Sequence, residues 1–169
     1  VAHLRSGGSV LLAPGPGRIA GNTHGSFSSI FWNKLWFPRQ KRHTLGILCD
    51  PRHPALAGFP TDRHSNWQWW DLAVAKHAKP MVMDDLPRGM FPIVQMIDDW
   101  NTCRKLGLVF EAKVGGGKLI MSSIDLASDL DSRFVARQLR RSLLDYMAGD
   151  AFEPEYALTV EQVKGMIKP

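Results

Sequence analysis

The 169-residue chain is poor in cysteine, in concentrated charge and in long apolar runs, and each scarcity excludes something. The two cysteines, Cys49 and Cys103, allow one disulfide at most, too few for a disulfide-built scaffold. Cys49 ends a strongly apolar stretch, so two buried free thiols are the expectation. No run of about 18 apolar residues occurs, so no membrane-spanning helix is expected. The net charge of +5, from 21 Lys and Arg against 16 Asp and Glu, is modest. It is not gathered into a basic cluster interleaved with aromatics. Arg39, Lys41 and Arg42 read as a solvated loop, and no nucleic-acid partner is expected.

Signatures of catalytic and metal sites are also missing. The six histidines, His3, His24, His43, His53, His64 and His77, form no His-x-His or His-x-x-x-His pair. Neither a metal nor a cofactor is therefore expected. Cys49 runs into Asp50-Pro51 and Cys103 into Arg104-Lys105, so neither sits on the tight small-residue elbow of a nucleophile. Gly115-Gly116-Gly117 lacks the helix-opening context of a phosphate loop and reads as a hairpin turn.

What is present describes a globular domain: 44% hydrophobic and 22% charged residues, in a length that buries a proper core. Strands are expected at 9–13, 44–49, 81–83 and 92–97, and a glycine-turned hairpin at 106–112 and 119–124. A helix is expected at 66–76, capped by Ser65 or Asn66. A second, amphipathic helix is expected at 134–147, with Val135, Leu139, Leu143 and Met147 inward. The expected fold class is α/β: a mostly parallel sheet with flanking helices and a C-terminal β-hairpin. One domain is expected at 1–150, followed by a tail, 151–169, with a weak helix near 160–167. The chain opens on Val1 rather than Met, and residues 2–5 read as the end of a helix, the expectation for a piece of a longer protein.

Two residue groups bear on function. Paired carboxylates across a sugar would serve a glycosidase. The candidates are Asp84-Asp85, Asp98-Asp99, Glu111 and Asp125. Adjacent carboxylates on a strand point to opposite faces, so neither pair alone makes a dyad. A hydrolase using Glu111 with Asp98 or Asp125 is thus a third-rank reading behind a structural Glu111. The second group is the tryptophans, six in all, with Asn66-Trp67-Gln68-Trp69-Trp70 the most singular string. On a helix Trp67 and Trp70 share a face while Trp69 points elsewhere. Such a string packs a core or an interface, or it stacks on a sugar while amides and carboxylates hold hydroxyls. The carbohydrate-binding candidates are Asn66, Trp67, Trp69, Trp70 and Asp71, and no catalytic residue is assigned.

Several strings together resemble the C-terminal region of family 2 glycoside hydrolases (β-galactosidase-like proteins) of Bacteroidetes. They are Phe31-Trp32-Asn33, Gly46-Ile47-Leu48-Cys49-Asp50-Pro51-Arg52-His53-Pro54, Phe59-Pro60-Thr61, His64-Ser65-Asn66-Trp67-Gln68-Trp69-Trp70, Pro92-Ile93-Val94-Gln95 and Phe110-Glu111-Ala112-Lys113-Val114-Gly115. In that family the catalytic glutamates lie in an upstream barrel. The resemblance therefore implies a non-catalytic accessory domain in glycan breakdown, packing on other domains of a parent hydrolase or shaping its glycan site. The order of elements is also similar to glutamine-amidotransferase-like (flavodoxin-like) accessory domains, without their nucleophile elbow and short of their first strands. The resemblance implies a periplasmic or secreted location. A carbohydrate-binding module taking an oligosaccharide at the Trp67–Trp70 cluster and an oligomerisation domain forming a homo-oligomer are the alternatives.

Overall fold

The computed structural model describes residues 1–29, 34–40, 43–74 and 76–168. The Phe31-Trp32-Asn33 string and the Lys41-Arg42 pair lie outside them. In chain order the elements are α1 (Ala2–Arg5), β1 (Ser9–Leu12), β2 (Thr44–Cys49), α2 (Gln68–Ala73), β3 (Met81–Val82), β4 (Val94–Asp98), β5 (Leu106–Val114), β6 (Gly117–Ser122), α3 (Phe134–Ala148), β7 (Ala157–Leu158) and α4 (Val160–Gly165).

The strands form one seven-stranded sheet with the path β1-β6-β5-β4-β2. The mostly parallel, flavodoxin-like sheet expected from the sequence is not what forms. Pairs β2–β4, β4–β5, β5–β6 and β3–β5 are antiparallel, and only β1–β6 and β5–β7 are parallel. Connection length is the physical reason. A parallel neighbour needs a crossover of a dozen or more residues. Asp98 is followed by β5 at Leu106, and Val114 is separated from β6 only by Gly115 and Gly116. Helices are few: α3 has 15 residues, while α1, α2 and α4 have 4, 6 and 6.

β5 is the central strand. β4 and β7 pair along one of its edges and β6 and β3 along the other, because Leu106 and Gly107 pair with both β3 and β4, and Val114 with both β6 and β7. Its residues are buried except for half-buried Glu111 and exposed Lys113. Both faces of the sheet are covered. One core contains Ile47, Phe59, Trp69, Val94, Ile120, Leu139 and Leu143, with α2, α3 and the 54–59 corner laid over the strands. Ser142 on α3 ties down that corner, accepting from the Gly58 amide at 3.0 Å and donating to the Ala55 carbonyl at 2.7 Å.

The other core holds Leu4, Met81, Met83, Phe110, Leu119, Met121, Leu158, Val163 and Met166. The segment beyond residue 150 thus supplies β7 to the sheet and α4, with its Thr159–Gln162 capping box, to this second layer. Cys49 is half-buried and Cys103 exposed, both free, rather than the two buried thiols expected.

Candidate functional site

The outer edge of β2 organises an aromatic cluster, Phe27, Trp67 and Trp70. Two loop segments are hydrogen-bonded to that edge. Residues 26–28 clamp Thr44: the Ser26 amide donates to Thr44 Oγ1 at 2.8 Å, the Thr44 amide to Ser26 Oγ at 3.1 Å, and the Ser28 amide to the Thr44 carbonyl at 3.2 Å. Residues 63–65 run along the strand further on: the Cys49 amide donates to the Arg63 carbonyl at 2.9 Å and the Ile47 amide to Ser65 Oγ at 2.9 Å. Gly46 is what lets Ser65 come so near. It sits at the register shift of β2 with φ 153°, and a Cβ there would lie 2.6 Å from the Ser65 hydroxyl oxygen.

Ser65 is therefore engaged by β2, and Asn66 donates from Nδ2 to Asp62 Oδ2 at 3.2 Å. Neither caps α2, in contrast to the cap expected at either residue. The N-cap is Trp67, which makes no side-chain capping bond. A tryptophan is a poor choice there compared with Ser, Asp or Asn. It is also 88% exposed, and Trp70 is 57% exposed, while Trp69 is fully buried. Trp69 anchors the string. Its Nε1–H donates to Thr61 Oγ1 at 2.8 Å and its ring meets Phe59 edge-on with centroids 5.2 Å apart. Gln68 Nε2 holds the Pro60 carbonyl at 2.7 Å.

Trp70 stacks on Phe27 with centroids 5.7 Å apart and planes inclined by 21°. Together with Ser65, Asn66 and Trp67 these rings line an open cleft of about 310 Å³. Asn66 Oδ1 is buried and finds no hydrogen-bond partner among the described residues. Of the five residues expected to bind a glycan, Asn66, Trp67 and Trp70 come together. Trp69 is in the core. Asp71 turns to the start of α3, forming an ion pair with Arg133 Nε at 3.0 Å, and its other carboxylate oxygen lies 2.9 Å from His77 Nδ1. Phe27 and Ser65 complete the cleft. Phe27 carries no motif of its own in the sequence; it opens a stretch, 27–37, rich in aromatic residues.

The carboxylates separate along different lines. Asp98 is bound to Arg104 through both oxygens, at 2.7 and 2.9 Å, with 2% of its side chain exposed. Asp125 accepts from the Ala127 and Ser128 amides at 3.0 and 2.9 Å and faces Arg133 at 3.7 Å. Asp84 accepts from the Lys105 amide at 2.8 Å. Neither Asp98 nor Asp125 shares a cavity with Glu111, which lies with His53 and Asp50 instead. Burial pushes the Cys49 thiol up, with its Thr61 contact opposing, against nucleophilic use. Among the described residues no group of three or more His, Cys, Asp or Glu is placed to hold a metal ion. No helix is long and apolar enough to cross a membrane among them.

Comparison with curated proteins finds no match. A family model matches residues 1–168, and the chain belongs to that family, described as Domain of unknown function (DUF8487).

Proposed function

We propose that this chain is a non-catalytic accessory domain in glycan breakdown, of the kind appended to family 2 glycoside hydrolases, and that it contacts sugar through Phe27, Asn66, Trp67 and Trp70. The observation carrying this reading is the bare Trp67 indole beside the stacked Phe27–Trp70 pair, across one cleft. Water on an exposed indole is readily displaced by the C–H face of a sugar ring, and Ser65 and Asn66 line the same cleft. A helix that gives its cap position to an exposed tryptophan departs from local preference, and such departures concentrate at functional sites.

Tryptophan fluorescence of the chain, titrated with galactosides and plant-type oligosaccharides, tests the reading. A saturable change that Trp67→Ala or Trp70→Ala abolishes is expected. Trp67 is nearly bare, so its substitution should cost no more than about 0.5 kcal/mol of stability, whereas Trp70→Ala also loses the Phe27 stack, worth about 0.5–1.5 kcal/mol. No change with any glycan, from protein with a cooperative unfolding transition, would sink it.

The same exposed tryptophans favour a second reading, in which another domain of a parent hydrolase or a second copy covers the cleft, since tryptophan anchors many protein interfaces. In that case light scattering would show a concentration-dependent mass that Trp67→Ala lowers, or the added parent domain would quench Trp67.

A further inference from the structure

A second cavity, about 310 Å³, opens where β2 leaves the sheet, and it shares no lining residue with the aromatic cleft. We propose that this cavity, built around His53, Glu111 and Phe91, binds one neutral polyhydroxylated ring of monosaccharide size.

Glu111 is an unusual residue for its place. It stands on the central strand, in register with Ile120, on the face covered by α3. A half-buried carboxylate there loses solvation and needs partners. The Tyr146 hydroxyl donates to Oε2 at 2.8 Å, and no bond to Oε1 is made among the described residues. Burial and this carboxylate hold the Tyr146 hydroxyl well above its ordinary range, so it stays protonated and keeps donating. Glu111 is thus a fixed acceptor with capacity left.

His53 is the matching donor. Its Nδ1 accepts from the Ala55 amide at 3.2 Å. That bond requires an unprotonated Nδ1, so the neutral ring carries its proton on Nε2. The imidazole also packs edge-on against Tyr146, with centroids 5.6 Å apart. One tyrosine therefore orients both donor and acceptor. Phe91, 72% exposed, and Tyr156 add aromatic surface. The Gly89 backbone lies against the Tyr156 hydroxyl, where a Cβ would come within 2.5 Å.

A hydroxyl group both donates and accepts, so neighbouring hydroxyls can donate to Glu111 and accept from His53 while the ring's C–H face lies on Phe91. A small cation suits the cavity less well. The imidazole Nε2–H would oppose it, Asp50 is already paired with Arg52 at 3.2 Å, and the third carboxylate of the lining, Glu155, is exposed to water. The volume is at the small end of ligand pockets, which run from about 300 to 1,000 Å³. That limits the occupant to a single ring.

Amide NMR of the whole chain titrated with galactose, and separately with lysine, reads this directly. Saturable shifts at His53, Gly89, Phe91 and Glu111 are expected with galactose, and they should persist in Trp67→Ala. Glu111→Gln should weaken binding about tenfold through loss of a charge-assisted bond. Phe91→Ala, an exposed change that leaves the fold intact, should weaken it as well. The proposal is overturned by absence of shifts at these amides, by equal affinity in both variants, or by saturation with lysine instead of galactose. Because the aromatic cleft is read through Trp67 and Trp70, failure at one site leaves the other standing.

Discussion

At His53 the chain leaves β2 through Pro51 and Pro54, and the imidazole replaces the Ser or Asp that usually caps such a turn. Burial pushes this histidine below its ordinary value, and the Glu111 and Asp50 carboxylates pull it back only in part. The sign of the effect on stability follows. The unfolded chain binds the proton more readily, so folding stability is full above the ordinary imidazole range and falls as pH drops through it toward the native value. Urea unfolding followed from neutral pH to about pH 5 should therefore show a loss that His53→Asn removes, since asparagine keeps a capping acceptor without titrating there. Parallel curves for the two proteins would refute a titrating His53.

Single residues also show how far the cleft could be read beforehand. The three-residue spacing of Trp67 and Trp70 separates both from Trp69, but spacing alone does not say which face meets solvent; that follows from Trp69 packing on Phe59. Ser65 and Asn66 were misread as caps because their side chains answer to partners distant in sequence or outside the helix, the Ile47 amide and Asp62. Asp71 likewise answers to Arg133, 62 residues away. Local propensity carries no information about such partners.

Among the elements, the β5–β6 hairpin is the most legible. The glycine run marked it, and both connecting residues, Gly115 and Gly116, have positive φ of 61° and 96° between the paired Val114 and Gly117. A two-residue turn of this hand matches strand twist and tolerates asparagine at its first position better than a β-branched residue at its second. Gly115→Asn should leave the thermal midpoint nearly unchanged, whereas Gly116→Val should destabilise by about 1–3 kcal/mol. Equal midpoints for the two variants would show that the turn carries no backbone demand. Strand positions were readable elsewhere too, but strand direction was misjudged. β5 is covered on both faces, so its apolar run resembles that of a buried parallel strand. The seven residues between Asp98 and Leu106 were the better clue, being too few for a crossover.

Over the whole molecule, the sheet works as a middle layer whose two faces need separate covers, and the covers come from different parts of the chain. Most of the α3 side is drawn from residues 47–143, whereas the opposite side takes Leu4 from α1 and Leu158, Val163 and Met166 from β7, α4 and its C-cap. The two are not independent, because the last segment enters both: Phe152 is buried against Tyr146 in the first core, with centroids 5.2 Å apart, while Leu158, Val163 and Met166 lie in the second.

Residues 151–168 are thus a fastening between layers. Deleting them would uncover Phe110, Ala112 and Val114 on the central strand and strip β5 of its β7 pairing. Each fully buried apolar side chain of this size contributes about 1.5–3 kcal/mol, so losing four, Phe152, Leu158, Val163 and Met166, approaches the 5–15 kcal/mol that holds a typical domain folded. The chain ending at residue 150 should therefore lose its sharp urea transition and bind a hydrophobic dye at neutral pH. If instead the shortened chain unfolds cooperatively with an unchanged midpoint, the second layer is dispensable and the sheet stands on the α3 face alone.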